Sequence, residues 1–133
     1  MILGLGCDIV QTSRFAKDNV FLLRFMQKYF SHNEIKELEE KNIINSTEKL
    51  LQSVASRFSA KEAVAKALGT GFRDGIVLKD IEILHDDLGC PKVALYNKAL
   101  ARCCEIANNK KHTIHLTISN EKEYVNSVAI IEI

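Results

Sequence analysis

The chain has 133 residues, 47% hydrophobic residues and a net charge of +1. This length predicts one domain over residues 1–133 with a hydrophobic core, and the composition excludes a disordered chain. The near-neutral charge argues against a nucleic-acid-binding protein, and the apolar runs are too short to span a membrane. The four cysteines form no paired motif, and without a signal peptide they predict reduced thiols and a cytoplasmic protein.

The first predicted element is a strand over residues 1–10. Alternation places Gly4, Gly6 and Asp8 on one face and residues such as Cys7 on the other. The glycines leave room beside Asp8 for a bound ligand or for a closely packed helix. Taken alone, Asp8 is more typical of an exposed strand end than of a ligand site. Cys7 is predicted to lie in the core.

Residues 12–30 predict a helix with an apolar stripe. A capping box at Ser31 and Glu34 then begins a short charged helix that ends near Lys41, with His32 exposed. The first helix carries four cations against one carboxylate, Asp18. Such a patch indicates either a charged partner or an ordinary solvated face. These cations are Arg14, Lys17, Arg24 and Lys28.

The longest predicted helix covers residues 48–68, with Asn45 and Glu48 as candidate capping residues. Five apolar residues fall within one arc about 100° wide, and Glu62 lies in the same arc. A buried carboxylate requires a cation, several donors or a metal. Two interpretations follow: an ion pair with Lys66 one turn later, or a functional site. The apolar members of the arc are Leu51, Val54, Ala55, Phe58 and Ala65.

The long helix ends in the turn Gly69–Gly71. Gly69 is typical of a helix C-cap, and two glycines can also leave backbone N–H groups free for a phosphate. Together with Arg57, Lys61 and Lys66, the turn predicts an anion site with a carboxylate in it, which suits a metal-bridged phosphate ester. Lys61 falls in the apolar arc, where we expect a buried stem and an ammonium in water.

The remaining chain predicts strands over residues 76–85, 92–96, 113–118 and 125–133 and a helix over 97–107. Pro91 is typical of the start of an edge strand. The composition of Asp86-Asp87-Leu88-Gly89 predicts a turn. The paired aspartates could also indicate a metal site, but no third ligand is in sight. The order of elements predicts an α+β fold, in which a mostly antiparallel sheet packs against a long central helix and smaller helices.

Several of these segments together resemble the signature of a known family. They are similar to the holo-[acyl-carrier-protein] synthases, the small 4′-phosphopantetheinyl transferases, nearly from end to end. The block that contains Lys61-Glu62-Ala63 and Lys66-Ala67-Leu68-Gly69 is specific, and the other segments support it. The segments that carry the resemblance are Gly4–Val10 with Arg14, Arg57–Ala63, Lys66–Gly71, Ile81–Ile83, Gly89–Pro91, Ile118-Ser119 and the closing strand from Tyr124.

The resemblance implies transfer of 4′-phosphopantetheine from coenzyme A to a serine of apo acyl carrier protein, with release of adenosine 3′,5′-bisphosphate. It implies Mg²⁺ on Asp8 and Glu62, and Lys66 facing the transferred phosphate. It further implies a homotrimer with coenzyme A between subunits. The serine proton could pass to Glu62, to Asp8 or to a water on the metal.

The expected coenzyme A contacts combine the predicted anion site with positions that match the family. The family often has a histidine near the 3′-phosphate, where this chain has Asn120. Asparagine brings no positive charge, so this contact is expected to be weaker. The full set is Arg57, Lys61, Lys66, Gly69, Gly71, Pro91, Ser119 and Asn120.

The acidic carrier is expected to dock on the basic patch of the first helix. Arg14 follows the family pattern, whereas Lys17, Arg24 and Lys28 are inferred from charge alone. Two other functions stay open on the residues: a non-catalytic module that binds coenzyme A or a nucleotide without a metal, and a Mg²⁺-dependent diphosphate hydrolase that needs no basic docking face.

Overall fold

The computed structural model describes residues 1–133 and contains five strands and four α-helices. Three strands form an antiparallel sheet in the order β1-β5-β4, and β2 and β3 form a separate antiparallel pair. This confirms the predicted α+β fold. The elements are β1 (Ile2–Gln11), α1 (Asn19–Tyr29), α2 (His32–Glu40), α3 (Thr47–Ala67), β2 (Ile81–His85), β3 (Pro91–Leu95), α4 (Asn97–Ile106), β4 (Thr113–Asn120) and β5 (Tyr124–Glu132).

The contact between β1 and α3 depends on two glycines. A Cβ at Gly4 would lie 1.9 Å from the carbonyl oxygen of Ala67, and one at Gly6 would lie 1.8 Å from that of Ala63. Only glycine therefore lets the helix lie this close to the strand. The cleared face serves a packed helix, and Asp8, two residues further along it, is held beside that helix.

The opposite face of β1 is exposed, so the prediction that Cys7 lies in the core was wrong. Leu5 and Ile9 are 65% and 64% exposed on the same face. The α3 helix covers only the glycine face, and no other element of the chain covers the outer face. This leaves an apolar outer surface on the sheet.

Helix α3 is buried on nearly all sides along its middle, because the sheet packs on one side and α1, α2 and β2 pack on others. The predicted arc was therefore only partly correct: Val54, Ala55 and Ala65 are buried, whereas Phe58 and Glu62 lie on a half-buried edge with Leu51. The helix begins one residue earlier than predicted. Its cap is Ser46, whose hydroxyl accepts from the Lys49 N–H, and not Asn45.

The first predicted helix is two pieces, a 3-10 turn over Thr12–Phe15 and then α1. The break occurs because Asp18 caps α1, with its carboxylate accepting from the Phe21 N–H at 2.8 Å. The capping box at Ser31 is confirmed, and His32 is exposed as predicted.

None of the helices combines the length and the hydropathy that crossing a bilayer requires.

Candidate active site

Asp8, Glu62 and Lys66 meet where β1 crosses the last two turns of α3. The Lys66 ammonium donates to Asp8 Oδ1 at 3.1 Å and to the Cys7 carbonyl at 3.0 Å, and its side chain is half exposed. Lys66 and Glu62 form no ion pair, so that interpretation of Glu62 was wrong. The ammonium bridges the helix to the strand and still faces solvent.

Glu62 has no hydrogen-bond partner in the chain, and its neighbourhood carries mixed charge. Burial raises the pKa of its carboxyl group, and the nearby negative charge of Asp8 raises it further, while Lys66 and Arg14 lower it in part. The two carboxylates therefore repel each other across a partly desolvated space. Such an arrangement favours a bound cation or a proton.

Asp8 supplies a second sign that a cation belongs here. Its Oδ2 atom is buried and accepts no hydrogen bond. A buried acceptor without a partner is costly, and a metal ion would satisfy it. No group of three or more histidine, cysteine, aspartate or glutamate side chains is placed to hold a metal. The donor set is thus two carboxylates, which fits Mg²⁺ completed by water and phosphate oxygens.

A second feature is a polar cavity of about 280 Å³ one to two turns earlier on α3, around Arg57. The Arg57 guanidinium is buried and paired with Glu37, while its Nε has no acceptor. Glu37 also accepts from the His85 backbone N–H at 2.8 Å and lies 3.0 Å from His85 Nδ1. The lining residues are Glu37, Lys41, Ile43, Gln52, Ser53, Ser56, Arg57, His85, Gly89, Pro91, Ile118 and Asn120.

This cavity brings together three predicted contacts, Arg57, Pro91 and Asn120. Asn120 Oδ1 accepts a hydrogen bond from the Ser56 hydroxyl. Ser119, one residue earlier on β4, is exposed and does not line the cavity. Sequence reasoning missed Glu37, because on a short charged helix nothing distinguishes an inward-facing glutamate from its solvated neighbours. It also missed the polar lining residues of α3 and β2, which are Gln52, Ser53, Ser56 and His85.

Lys61 contradicts its prediction. Its side chain has 0% exposure, and its ammonium donates to Glu34 Oε1 at 2.7 Å. The carbonyls of Leu78 and Ile81 accept from the same ammonium at 2.9 and 2.6 Å. Burial lowers the pKa of Lys61, and the Glu34 charge opposes that effect. Because α2 and β2 cover this side of α3, the ammonium cannot reach solvent or an anion there.

The glycine turn is a helix cap. Gly69 and Gly71 have φ angles of +81° and +61°. Their N–H groups donate to the carbonyls of Lys66 at 2.9 Å and Ala65 at 3.0 Å. The prediction that these N–H groups are free for phosphate was therefore wrong, and the capping interpretation is correct.

A second cavity, of about 580 Å³, lies directly beside Glu62. Its walls are mostly apolar and come from the end of α1 and from the segment that joins α3 to β2. Glu62 is its only carboxylate. The lining residues are Lys28, Tyr29, Glu62, Phe72, Ile76, Val77, Leu78 and Lys79.

Known proteins match this chain over nearly its full length. Residues 4–128 match the model of the 4′-phosphopantetheinyl transferase superfamily. The chain is 39% identical over 132 residues to a holo-[acyl-carrier-protein] synthase of Clostridium tetani, a match that covers 99% of this chain and 97% of that protein. It is 41% identical over 134 residues to the Clostridium acetobutylicum synthase, with 100% and 99% coverage.

The fold matches as well as the sequence. A holo-(acyl-carrier-protein) synthase from Bacillus anthracis, crystallised in complex with CoA (3′,5′-ADP), superposes with a TM-score of 0.75. That match has 31% identity and covers 98% of this chain and 96% of the other. The chain belongs to the 4′-phosphopantetheinyl transferase superfamily. Within this class of enzymes it is similar in sequence and fold to the holo-[acyl-carrier-protein] synthases, which confirms the resemblance of the signature segments.

Proposed function

We propose that the protein transfers 4′-phosphopantetheine from coenzyme A to a serine of apo acyl carrier protein, in a Mg²⁺-dependent reaction that releases adenosine 3′,5′-bisphosphate. The observation that carries the proposal is the meeting of Asp8, Glu62 and Lys66, with a buried Asp8 oxygen that has no partner. A pure binding module would gain nothing from two carboxylates that repel each other beside a lysine.

Asp8 and Glu62 would hold the Mg²⁺. When bound, the ion neutralises the negative charge of the diphosphate and polarises its oxygens. Lys66 adds a cation whose ammonium is fixed by Asp8 and the Cys7 carbonyl but remains accessible. A preorganised ammonium stabilises charge that builds on the transferred phosphoryl group.

The serine hydroxyl must lose its proton as its oxygen attacks the phosphorus. We assign the acceptor role to the Glu62 carboxylate. Burial and Asp8 raise the pKa of this carboxyl group in the absence of a metal, whereas a bound Mg²⁺ would lower it. Glu62 also lines the cavity of about 580 Å³, through which a substrate hydroxyl would approach it.

Coenzyme A would place its adenosine end in the Arg57 cavity. The B. anthracis relative was crystallised in complex with CoA (3′,5′-ADP). Arg57 and Glu62 are five residues apart on one helix, about 7.5 Å along its axis and about 140° apart around it, so the two side chains lie on different faces of α3. The Nε of Arg57 is buried and has no acceptor within the chain. Asn120 offers its NH₂ group without a charge, which weakens the proposed contact with the 3′-phosphate.

The carrier protein would dock at the basic side chains of the first helical region, all of which are exposed. Arg14 lies at the rim of the site, since its guanidinium stands 5.5 Å from the Phe58 ring and its charge acts on Glu62. An acidic carrier would be steered to this surface by charge. The other proposed docking residues are Lys17, Arg24 and Lys28.

We also propose a homotrimer with coenzyme A held between subunits. The support is the uncovered outer face of the sheet, where Leu5 and Ile9 of β1 lie beside Val128 and Ile130 of β5. A contiguous apolar surface of this kind is typical of an interface.

The four free cysteines support a reducing, cytoplasmic location.

The test is a transfer assay with purified protein, Mg²⁺, coenzyme A and apo acyl carrier protein, read by mass spectrometry of the carrier. We expect the carrier to gain the mass of one phosphopantetheine, and chelation of Mg²⁺ to abolish the gain. Carriers that stay unchanged would overturn the proposal. Nucleotide release without any carrier would favour the diphosphate hydrolase, and coenzyme A binding without either product would favour the binding module.

A further inference from the structure

The buried ammonium of Lys61 is not used by the chemistry proposed above, although Lys61 directly precedes Glu62. All three of its protons have acceptors: Glu34 Oε1, the Leu78 carbonyl and the Ile81 carbonyl. A buried ion pair adds little net stability compared with packed apolar side chains. What an ammonium provides, and an apolar side chain cannot, is three donors directed at three fixed acceptors.

These contacts lie next to both walls of the cavity beside Glu62. One wall is the segment 76–79, and its member Leu78 accepts directly from Lys61. The other wall is the end of α1, with Lys28 and Tyr29. The next residue, Phe30, is buried, with its ring centroid 5.3 Å from the Lys61 ammonium.

Glu34 extends the same connection. Its Oε1 also accepts from the Ser31 N–H at 2.9 Å, directly after the α1 wall. Its Oε2 accepts from the Ile83 N–H at 3.2 Å, in the strand that follows the other wall. Glu34 is fully buried. The Lys61–Glu34 pair thus connects α2, α3, β2 and the segments at both walls through hydrogen bonds.

We propose that Lys61 is a positioning residue: through Leu78, Ile81, Phe30 and Glu34 it holds the two cavity walls at a fixed separation around Glu62. One helix then supplies the clamp and the reacting carboxylate on successive residues, so the wall positions are set relative to Glu62 itself. The catalytic part of this inference rests on the proposed transferase function, whereas the ordering of the walls does not.

The test uses two double variants, Lys61→Met/Glu34→Gln and Lys61→Gln/Glu34→Gln. Both remove the buried charges together, which avoids an unpaired buried ion. Glutamine keeps two N–H donors for the carbonyls, and methionine has none. We expect the methionine variant to lose at least tenfold in kcat and to raise the KM for coenzyme A several-fold. Lys61→Gln/Glu34→Gln should recover a large part of the kcat that Lys61→Met/Glu34→Gln loses. Lys49→Met, on the exposed start of the same helix, is the matched control.

Hydrogen exchange measures the walls without relying on activity. In the intact protein, we expect the amides of residues 80–83 to be protected as strongly as those of the core strands. Fast exchange there would overturn the proposal, even if no variant folds. The proposal would also be overturned if folded Lys61→Met/Glu34→Gln exchanged these amides at the wild-type rate and kept the wild-type kcat and KM. Failure of the wild-type protein to modify any carrier would instead overturn the transferase function.

Discussion

At the residue scale, the proposed chemistry depends on where three charged groups are held. Asp8 and Glu62 carry like charges close together, and Lys66 neutralises only Asp8 by direct contact. The buried Asp8 oxygen has no partner, and neither carboxylate oxygen of Glu62 is hydrogen-bonded. The site therefore stores unfavourable electrostatic energy in the absence of ligands, which a divalent cation and an anionic substrate would relieve together.

Glu62→Gln tests this arrangement directly. We expect turnover to fall by about a hundredfold or more, the scale on which the loss of one preorganised electrostatic group acts. Steady-state transfer rates at saturating Mg²⁺ measure the effect. The exposed residue Glu39 provides the matched control, since Glu39→Gln makes the same change away from the site.

The same variant carries a stability prediction, measured by thermal unfolding without divalent cations. Because the pKa of Glu62 is raised on folding, the folded protein binds that proton more tightly than the unfolded chain. The wild type therefore gains stability as pH falls through the raised pKa. We expect Glu62→Gln to be at least as stable as wild type at neutral pH, with the difference vanishing in acid. A large destabilisation at neutral pH would mean that Glu62 is structural.

The position of a side chain in the fold could be predicted only where the spacing of nearby residues in the sequence indicates it. Asp8, Glu62 and Lys66 were found through a signature and through a carboxylate among apolar neighbours. The role of Lys61 was not found, because α3 is buried on nearly all sides and a helical arc drawn from one period does not show which other elements cover it. Its partner Glu34 lies 27 positions away in the sequence.

At the scale of elements, the site exists because β1 and α3 pack backbone against backbone. Sequence patterns predicted most strands and helices, because alternation and capping residues are local signals. They did not predict the sheet order β1-β5-β4 or the break at Asp18 before α1, which depend on tertiary contacts and on one side-chain cap. The glycines on β1 were read correctly as cleared space, with a packed helix as one of the alternatives.

Gly6→Ala is the prediction at this scale. The new methyl group would meet the Ala63 carbonyl oxygen at 1.8 Å and the Ala67 nitrogen at 2.6 Å, both of them backbone atoms that cannot rotate away. We expect a loss of about 3 kcal/mol in the free energy of unfolding, the upper end of overpacking costs. Transfer activity should fall as well, because β1 carries Asp8 away from Glu62. Denaturant unfolding and the carrier assay measure the two effects.

Gly89→Ala separates this steric clash from the general cost of losing a glycine. Gly89 has a φ angle of +80° but nothing within 4 Å of an added Cβ. The cost there should be only about 1 kcal/mol, from backbone conformation alone. Equal destabilisation by the two variants would show that close packing of β1 on α3 is not what Gly6 provides.

Across the whole molecule, charge is distributed unevenly although the net charge is +1. Lys28 lines the cavity beside Glu62, and Arg14 acts on Glu62 through its charge. Arg24 lies one turn before Lys28 on the same face of α1. We expect Arg24→Glu to raise the KM for the carrier several-fold at low salt while kcat changes little, because an exposed charge mainly steers encounter. Lys36→Glu on α2 is the control. A KM that is unchanged and independent of salt would remove Arg24 from the docking surface.

The outer face of the sheet leads to the last prediction, which concerns assembly. Leu5 lies opposite Ile130 in the β1–β5 register, at the centre of an apolar surface that nothing in the chain covers. A lysine there would place a charge in the middle of the proposed subunit contact, where desolvation is costly. We expect light scattering to find a trimer for the wild type and a folded monomer for Leu5→Lys.

Activity should follow assembly, because the proposal places coenzyme A between subunits. The Leu5→Lys monomer should keep its circular dichroism spectrum but lose most of its transfer activity and coenzyme A affinity. Leu88→Lys is the control, since Leu88 is 95% exposed in the turn between β2 and β3, away from the sheet. A variant that stays trimeric, or a monomer that keeps full activity, would contradict the proposed interface or the shared site respectively. The two outcomes are distinguishable because mass and turnover are measured on the same sample.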